Sequence, residues 1–317
     1  MKKYSRSYRS LISAVFILVL LISFSCRDQK VKKLVFKDYP EMKIGFTTQN
    51  FQRAMPNNIE NLTEIIEYAF REGYHFIELR DDYALLTAEE CKALAEVAGK
   101  MKIEVIYEIQ KNPLDDGYFE VFHKGLANTL HFSGPGILRA MVANSEFVAD
   151  LSKKGWTRLE FEKLARITDS CALIAQEKGI RFIVENFDES FFGEGINYFG
   201  LSDLLDNTEY VGLQFDTGNP FRKTSREKSD PEKVSEYLSG LGNRWVSSHL
   251  KTIVEMGGDA QPVLTDSPLS VRDVIALMGE QDVLYAALEL AAVNDKQKCF
   301  ENHKISIQFL KDIGVLE

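Results

Sequence analysis

From residue 42 onward, short apolar runs alternate with segments whose apolar residues recur every three or four positions. The runs fall at residues 42–46, 76–79, 104–107, 137–142, 181–184, 211–215, 245–248 and 284–288. Each is too short for a helix and mostly apolar, the pattern of a parallel strand covered on both faces. Between them lie helical faces. Leu62, Ile65, Ile66, Ala69 and Phe70 form one, closed by Gly73. Thr87 and Glu90 form a capping-box start for the next, with Cys91, Leu94, Ala95 and Ala98 on its apolar side. A weaker helix spans 119–130, and Gly134-Pro135-Gly136 breaks the chain after it. The longest pattern, 157–178, carries Phe161, Leu164, Ile167, Cys171 and Ile174 and stops at Gly179. Shorter helices follow at 201–205, 231–238 and 270–278, and the last carries Phe300, Ile305, Phe309 and Ile313. Eight strand–helix units in about 275 residues predict an α/β fold of the (β/α)8 TIM-barrel type, whose usual length is about 250. An open doubly wound sheet is the alternative, but no Gly-rich phosphate loop follows the first strand. No linker divides residues 41–317, which are read as one domain.

Barrels of this type place their chemistry at the C-terminal ends of the strands. Glu185 follows Ile183-Val184, Asp216 follows Gln214-Phe215, His249 follows Ser247-Ser248, and Glu289 follows Leu288. Their spacings are 31, 33 and 40 residues, each about one strand–helix unit. Strands five to eight are neighbours in a closed barrel, so these four ends converge. Three carboxylates at one point repel, and one takes up a proton unless a cation is present. Oxygen-rich ligands with a single imidazole suit Mn2+ or Mg2+, and accept Zn2+ or Co2+. Glu78 and Glu108, at the ends of strands two and three, are candidates for contact with substrate hydroxyls. Lys251 is a candidate for holding a substrate oxygen near the metal. Arg139 points either to the mouth or into an interior layer.

The motifs Val184-Glu185-Asn186, Phe215-Asp216-Thr217-Gly218-Asn219, Ser248-His249-Leu250-Lys251 and Leu288-Glu289-Leu290 resemble those of the sugar phosphate isomerase/epimerase superfamily, the xylose-isomerase-like TIM barrels. The resemblance covers residues 42–315. It implies that Glu185, Asp216, His249 and Glu289 bind the metal, and that Glu185 and Glu289 also flank the substrate and move protons. The implied activity is isomerisation or epimerisation of a ketose or keto-sugar, by proton abstraction next to a carbonyl through an enediolate. A 3-keto-glycoside lyase or hydratase would use the same metal and glutamates. A non-catalytic sugar-binding surface lipoprotein is the reading from another class. Where many members carry a histidine three residues after the sixth-strand aspartate, this chain has Asn219, a hydrogen-bond donor to a sugar hydroxyl but a poor proton carrier. Phe187 stands where a histidine often follows Glu-Asn.

Composition narrows the partners. A formal net charge of −9 argues against nucleic acid, which needs a basic face. The superfamily's apurinic endonucleases use many histidine ligands; of the five histidines here only His249 sits at a predicted strand end. The N-terminus is a separate matter. Lys2, Lys3, Arg6 and Arg9 precede an apolar stretch, 11–24, shorter than the about 20 residues a spanning helix needs. Residues 1–25 are therefore read as a signal peptide and 26–40 as a tether. Ser23 and Ser25 leading into Cys26 resemble a bacterial lipoprotein signal, with Cys26 lipidated. The expectation is an exported, membrane-anchored protein, periplasmic or associated with the outer membrane, that meets the membrane only through its lipid. A small sugar is its expected partner, and a homo-oligomer is compatible with the sequence. Cys91, Cys171 and Cys299 fall in predicted helices and imply neither a disulfide framework nor a cysteine metal site.

Overall fold

All eight apolar runs are strands in the structure, a computed structural model that describes residues 31–142, 155–187, 191–193, 198–222 and 230–317. They are β1 (Lys43–Thr47), β2 (Phe76–Arg80), β3 (Glu104–Ile109), β4 (Ile137–Met141), β5 (Arg181–Glu185), β6 (Gly212–Asp216), β7 (Trp245–Leu250) and β8 (Tyr285–Leu288). Each pairs in parallel with the next, and β8 pairs with β1, closing the barrel. Among the described residues one α-helix follows each strand. These are α1 (Ile59–Arg71), α2 (Ala88–Met101), α3 (Tyr118–Thr129), α4 (Arg158–Gln176), α5 (Leu201–Asp206), α6 (Pro231–Ser239), α7 (Val271–Glu280) and α8 (Lys296–Asp312).

The helices start where polar side chains can take up free amides. Asn58, Thr87, Thr157, Asp230, Ser270 and Asp295 cap six of them, and Thr87/Glu90 and Thr157/Glu160 form full capping boxes. Their apolar faces and the outward strand residues make the main core. A second, smaller cluster fills the barrel: Phe76, Ile106, Ile137, Ile183, Tyr285 and Ala287, with Val246 against it. Gly45 lets this layer close, because a Cβ there would lie 2.5 Å from the Phe76 carbonyl oxygen. Two residues further along their strands, in the same inward phase, stand Glu78, Glu108, Arg139 and Glu185. The barrel is thus apolar below and charged above.

The expected tether needs a correction. Residues 33–317 form one compact unit, and its first residues are built into the fold. Leu34 and Phe36 are buried, and Phe36 bridges to Leu316 at the chain's other end. Two apolar side chains with core to cover do not stay in solvent. Residues 1–25 and Cys26 lie outside the described residues.

Candidate metal centre

β5 and β6 end on Glu185 and Asp216, β7 carries His249 one position before its end, and Glu289 lies just past β8. A register shift brings the imidazole into line. Leu213 pairs with Trp245, but Gln214 pairs with Ser247, so β7 holds one extra residue there. The shift changes the inward phase: Val246 faces the interior below, and His249 sits level with Asp216 above. Without it Ser248 would occupy that level. All four side chains are at least 95% buried, and one ligand atom from each lies within 4.8 Å of the others.

The imidazole's surroundings fix its tautomer. His249 Nε2 lies 2.5 Å from Glu78 Oε2, so it carries a hydrogen and donates it. Gln214 Nε2 in turn donates to Glu78 Oε1 at 2.6 Å. His249 Nδ1 then turns toward three carboxylates: Glu185 Oε1 at 2.9 Å, Asp216 Oδ2 at 3.6 Å, and Glu289 Oε2 in close contact. One nitrogen cannot satisfy three anionic oxygens. Asp216 Oδ2 and Glu289 Oε2 are buried with no hydrogen-bond donor aligned on them. Burial alone would lower the His249 pKa, yet Glu78, Glu289 and Glu185 outweigh it and raise it well above the usual value. The carboxylates therefore demand positive charge at this point, and the donor set fits a divalent cation held by Glu185, Asp216, His249 Nδ1 and Glu289. Glu78 then has the place of the outer carboxylate that orients a ligating histidine.

Charge balance points the same way. Five buried carboxylates, Glu78, Glu108, Glu185, Asp216 and Glu289, face two buried cations, Arg139 and Lys251. Arg139 Nη2 lies 2.7 Å from Glu108 Oε2, and Nη1 lies 2.9 Å from Glu185 Oε2. The second contact is an ion pair without hydrogen-bond alignment, since Nη1 has no aligned acceptor. Burial, helped by Glu78 and opposed by Arg139, pushes the Glu108 carboxyl up to about 8. A proton on Glu108 and one divalent cation bring the set to neutrality. Lys251 Nζ lies 2.8 Å from Asp216 Oδ2 and 2.6 Å from Glu289 Oε1, and donates to Asn219 Oδ1 at 3.0 Å.

The structure thus brings Glu185, Asp216, His249 and Glu289 together, with Lys251 and Asn219 beside them. Arg139 lies in the interior layer. The expectation that Glu78 and Glu108 meet substrate hydroxyls gives way. Both are fully buried, and their partners are His249, Gln214 and Arg139. Gln214 escaped the sequence reading, although a glutamine inside an apolar strand is a signal that it has a buried partner. A cleft of about 480 Å³ lined by Arg181, Trp245 and Tyr285 opens at the other end of the strands, away from this chemistry.

No family model matches the chain, and no curated protein does. Solved structures do, and the likeness is one of fold, a closed (β/α)8 barrel shared with proteins described as sugar phosphate isomerase/epimerases and xylose isomerase-like TIM barrels. A sugar phosphate isomerase/epimerase from Parabacteroides distasonis is similar with a TM-score of 0.63 at 15% identity, over 87% of this chain and 98% of that one. The D-allulose 3-epimerase from Methylomonas sp. in complex with D-allulose gives 0.62 at 14% identity, over 89% and 98%. A xylose isomerase-like TIM barrel protein from Mycobacterium smegmatis in complex with magnesium gives 0.62 at 15% identity, over 86% and 97%. At such identities the likeness concerns the fold, and the chemistry has to be argued from the site.

Proposed function

We propose that this protein is a divalent-metal-dependent sugar isomerase or epimerase acting on a ketose or keto-sugar. The observation that carries the reading is the convergence of Glu185, Asp216 and Glu289 on His249 Nδ1. Glu185, Asp216, His249 and Glu289 would hold a divalent cation, which would supply Lewis acidity for proton abstraction next to a carbonyl. Mn2+ or Mg2+ suits the ligands best.

The protein's own part is proton transfer and charge placement. Burial would raise the Glu185 pKa, but Arg139 and His249 outweigh it and hold it below the usual value. Against the same effect of burial, Lys251 and His249 hold Glu289 well below. With His249 neutral as a ligand, Arg139 and Lys251 together with the cation would keep both glutamates ionised, the form a proton acceptor needs. They reach the site from β5 and from the end of β8. One takes the proton from the carbon next to the carbonyl, and the other returns it from the opposite side. The Lys251 ammonium, held by Asn219 Oδ1, Asp216 Oδ2 and Glu289 Oε1, places a positive charge beside the centre. Glu78 keeps His249 Nδ1 turned to the centre, and Arg139 keeps Glu185 in its charged form.

Export through residues 1–25 and anchorage at Cys26 belong to this proposal and rest on the sequence alone. They favour free sugars or glycosides as substrates. The test is deuterium exchange: ketoses and 3-keto-glycosides are incubated with the Mn2+-loaded protein in D2O. Wild type is expected to exchange the proton next to the carbonyl. Glu185→Gln and Glu289→Gln are each expected to lose turnover by at least about a hundredfold. Full activity in both variants would rule the pair out, and exchange accompanied by loss of a leaving group would identify a lyase.

A further inference from the structure

Two of the four ligands are held to β7 on one side, Asp216 by pairing with His249 and Glu289 by its N–H to Leu250 O, but lie where the ladder runs out on the other side. The last β1–β8 pair joins Phe46 to Leu288, one position before Glu289. The last β5–β6 pair joins Glu185 to Gln214, two positions before Asp216. Strand ends fray unless their peptide groups find partners, and here side-chain amides provide them. Asn50, from the turn after β1, donates Nδ2–H to Leu288 O at 3.0 Å, and its Oδ1 accepts from Leu290 N at 2.9 Å. Thr47, the last residue of β1, stands across from Glu289 in this register, so Asn50 Oδ1 takes the Leu290 N–H that the ladder leaves over and Nδ2 adds a bond to the Leu288 carbonyl. Asn186, one residue past β5, instead holds the peptide groups of Asp216 itself on that open side. Its Oδ1 accepts from Asp216 N at 2.7 Å, and its Nδ2 donates to Asp216 O at 3.0 Å.

Each amide is itself held. Asn50 Nδ2 lies 3.2 Å from His303 Nε2, whose Nδ1 lies 3.3 Å from the Tyr74 hydroxyl. That gives the second Asn50 N–H an acceptor and prevents exchange of its oxygen and nitrogen. Asn219 Nδ2 donates to Asn186 O at 2.8 Å. Gly218 N and Asn219 N both donate to Asp216 Oδ1, at 2.8 and 2.7 Å, which leaves Oδ2 turned to the centre. Asn50 and Asn186 are 3% and 2% exposed, and neither is one of the four candidate ligands.

We infer that Asn50 and Asn186 are positioning residues whose amides tie down the peptide groups left over on the open side of the ladder and set the backbones of Glu289 and Asp216 for metal binding. The inference rests on the metal-dependent reading proposed above. Metal geometry tolerates displacements of only about 0.5 Å, less than a frayed strand end explores. Loss of either amide is therefore expected to weaken the metal more than the fold.

The experiment measures Mn2+ affinity of the full chain, by electron paramagnetic resonance of free Mn2+, beside the melting temperature in chelator. Asn50→Asp and Asn186→Asp keep size but turn the donated N–H into an oxygen facing a carbonyl. Asn128→Asp is the control. Asn128 is also buried, and its amide serves Leu86 O and the Tyr107 hydroxyl, away from the ligands. The first two variants are expected to lose affinity by about 10- to 100-fold, the scale of other outer-sphere changes. Asn128→Asp is expected to melt lower but bind as wild type. Where an aspartate variant does not fold, the alanine variant at the same position takes its place. Wild-type affinity at both positions overturns the inference, as does an equal loss in Asn128→Asp. Failure of the wild type to bind Mn2+ would overturn the metal reading itself.

Discussion

Arg139 shows what a single buried charge does here. Its guanidinium is fully buried between Glu108 and Glu185. Arg139→Met would leave both carboxylates without their cation, at a cost of about 3–5 kcal/mol. Urea denaturation in chelator measures it, and an unchanged midpoint would contradict the pairing. Glu78 makes a different case. It orients His249 without reaching the centre, so Glu78→Ala is expected to weaken Mn2+ by about 10- to 100-fold. Calorimetric titration would show wild-type affinity if the carboxylate were idle. At this scale the sequence exposed the ligands well, because Glu185, Asp216, His249 and Glu289 each interrupt or end an apolar run. It did not show what Glu78 and Glu108 face. A carboxylate at a strand end reads alike whether it meets solvent or a buried imidazole.

At the scale of elements, the strands were legible because each is covered on both faces and so mostly apolar. The helices were legible from their spacing and caps. The extra residue in β7 was not. Nothing in Trp245-Val246-Ser247-Ser248 marks a register shift, which exists only relative to β6. Yet that shift places His249 beside Asp216. Gly45 is the reverse case, a residue visible in the sequence whose reason is tertiary. Its missing Cβ makes room for Phe76. Gly45→Ala is expected to cost about 1–3 kcal/mol by overpacking. A melting temperature equal to wild type would show that the neighbouring strand gives way freely.

For the whole molecule, pH is the informative variable. Burial pushes His303 down to about 3. Burial, with Lys33 and Lys43 adding to it, pushes His75 down to about 4. Both are neutral in the fold, whereas in the unfolded chain they take up protons below about 6.5. There the unfolded state binds more protons, so their contribution is full above about 6.5 and falls as pH drops toward 4 and 3. His249 and Glu108, both held above their usual values, act in the opposite sense in chelator, so the share of His75 is read by difference. The urea midpoint of His75→Gln relative to wild type is expected to rise between pH 7.5 and pH 5, and a constant difference would exclude a buried neutral histidine there. His303 also abuts Asn50, so this acid-sensitive part of the core adjoins the backbone of Glu289.

The order of the elements was written in the chain, because periodicity of apolar residues is a local property and burial acts on every residue separately. So was the presence of four candidate ligands, since eight parallel units leave only one end of the barrel for them. Their partners were decided by the closed barrel alone. Which carboxylate meets Nδ1, which asparagine holds a strand end, and which way His249 turns depend on contacts between residues as much as 240 positions apart. A contact of that kind has no period and leaves no trace along the sequence.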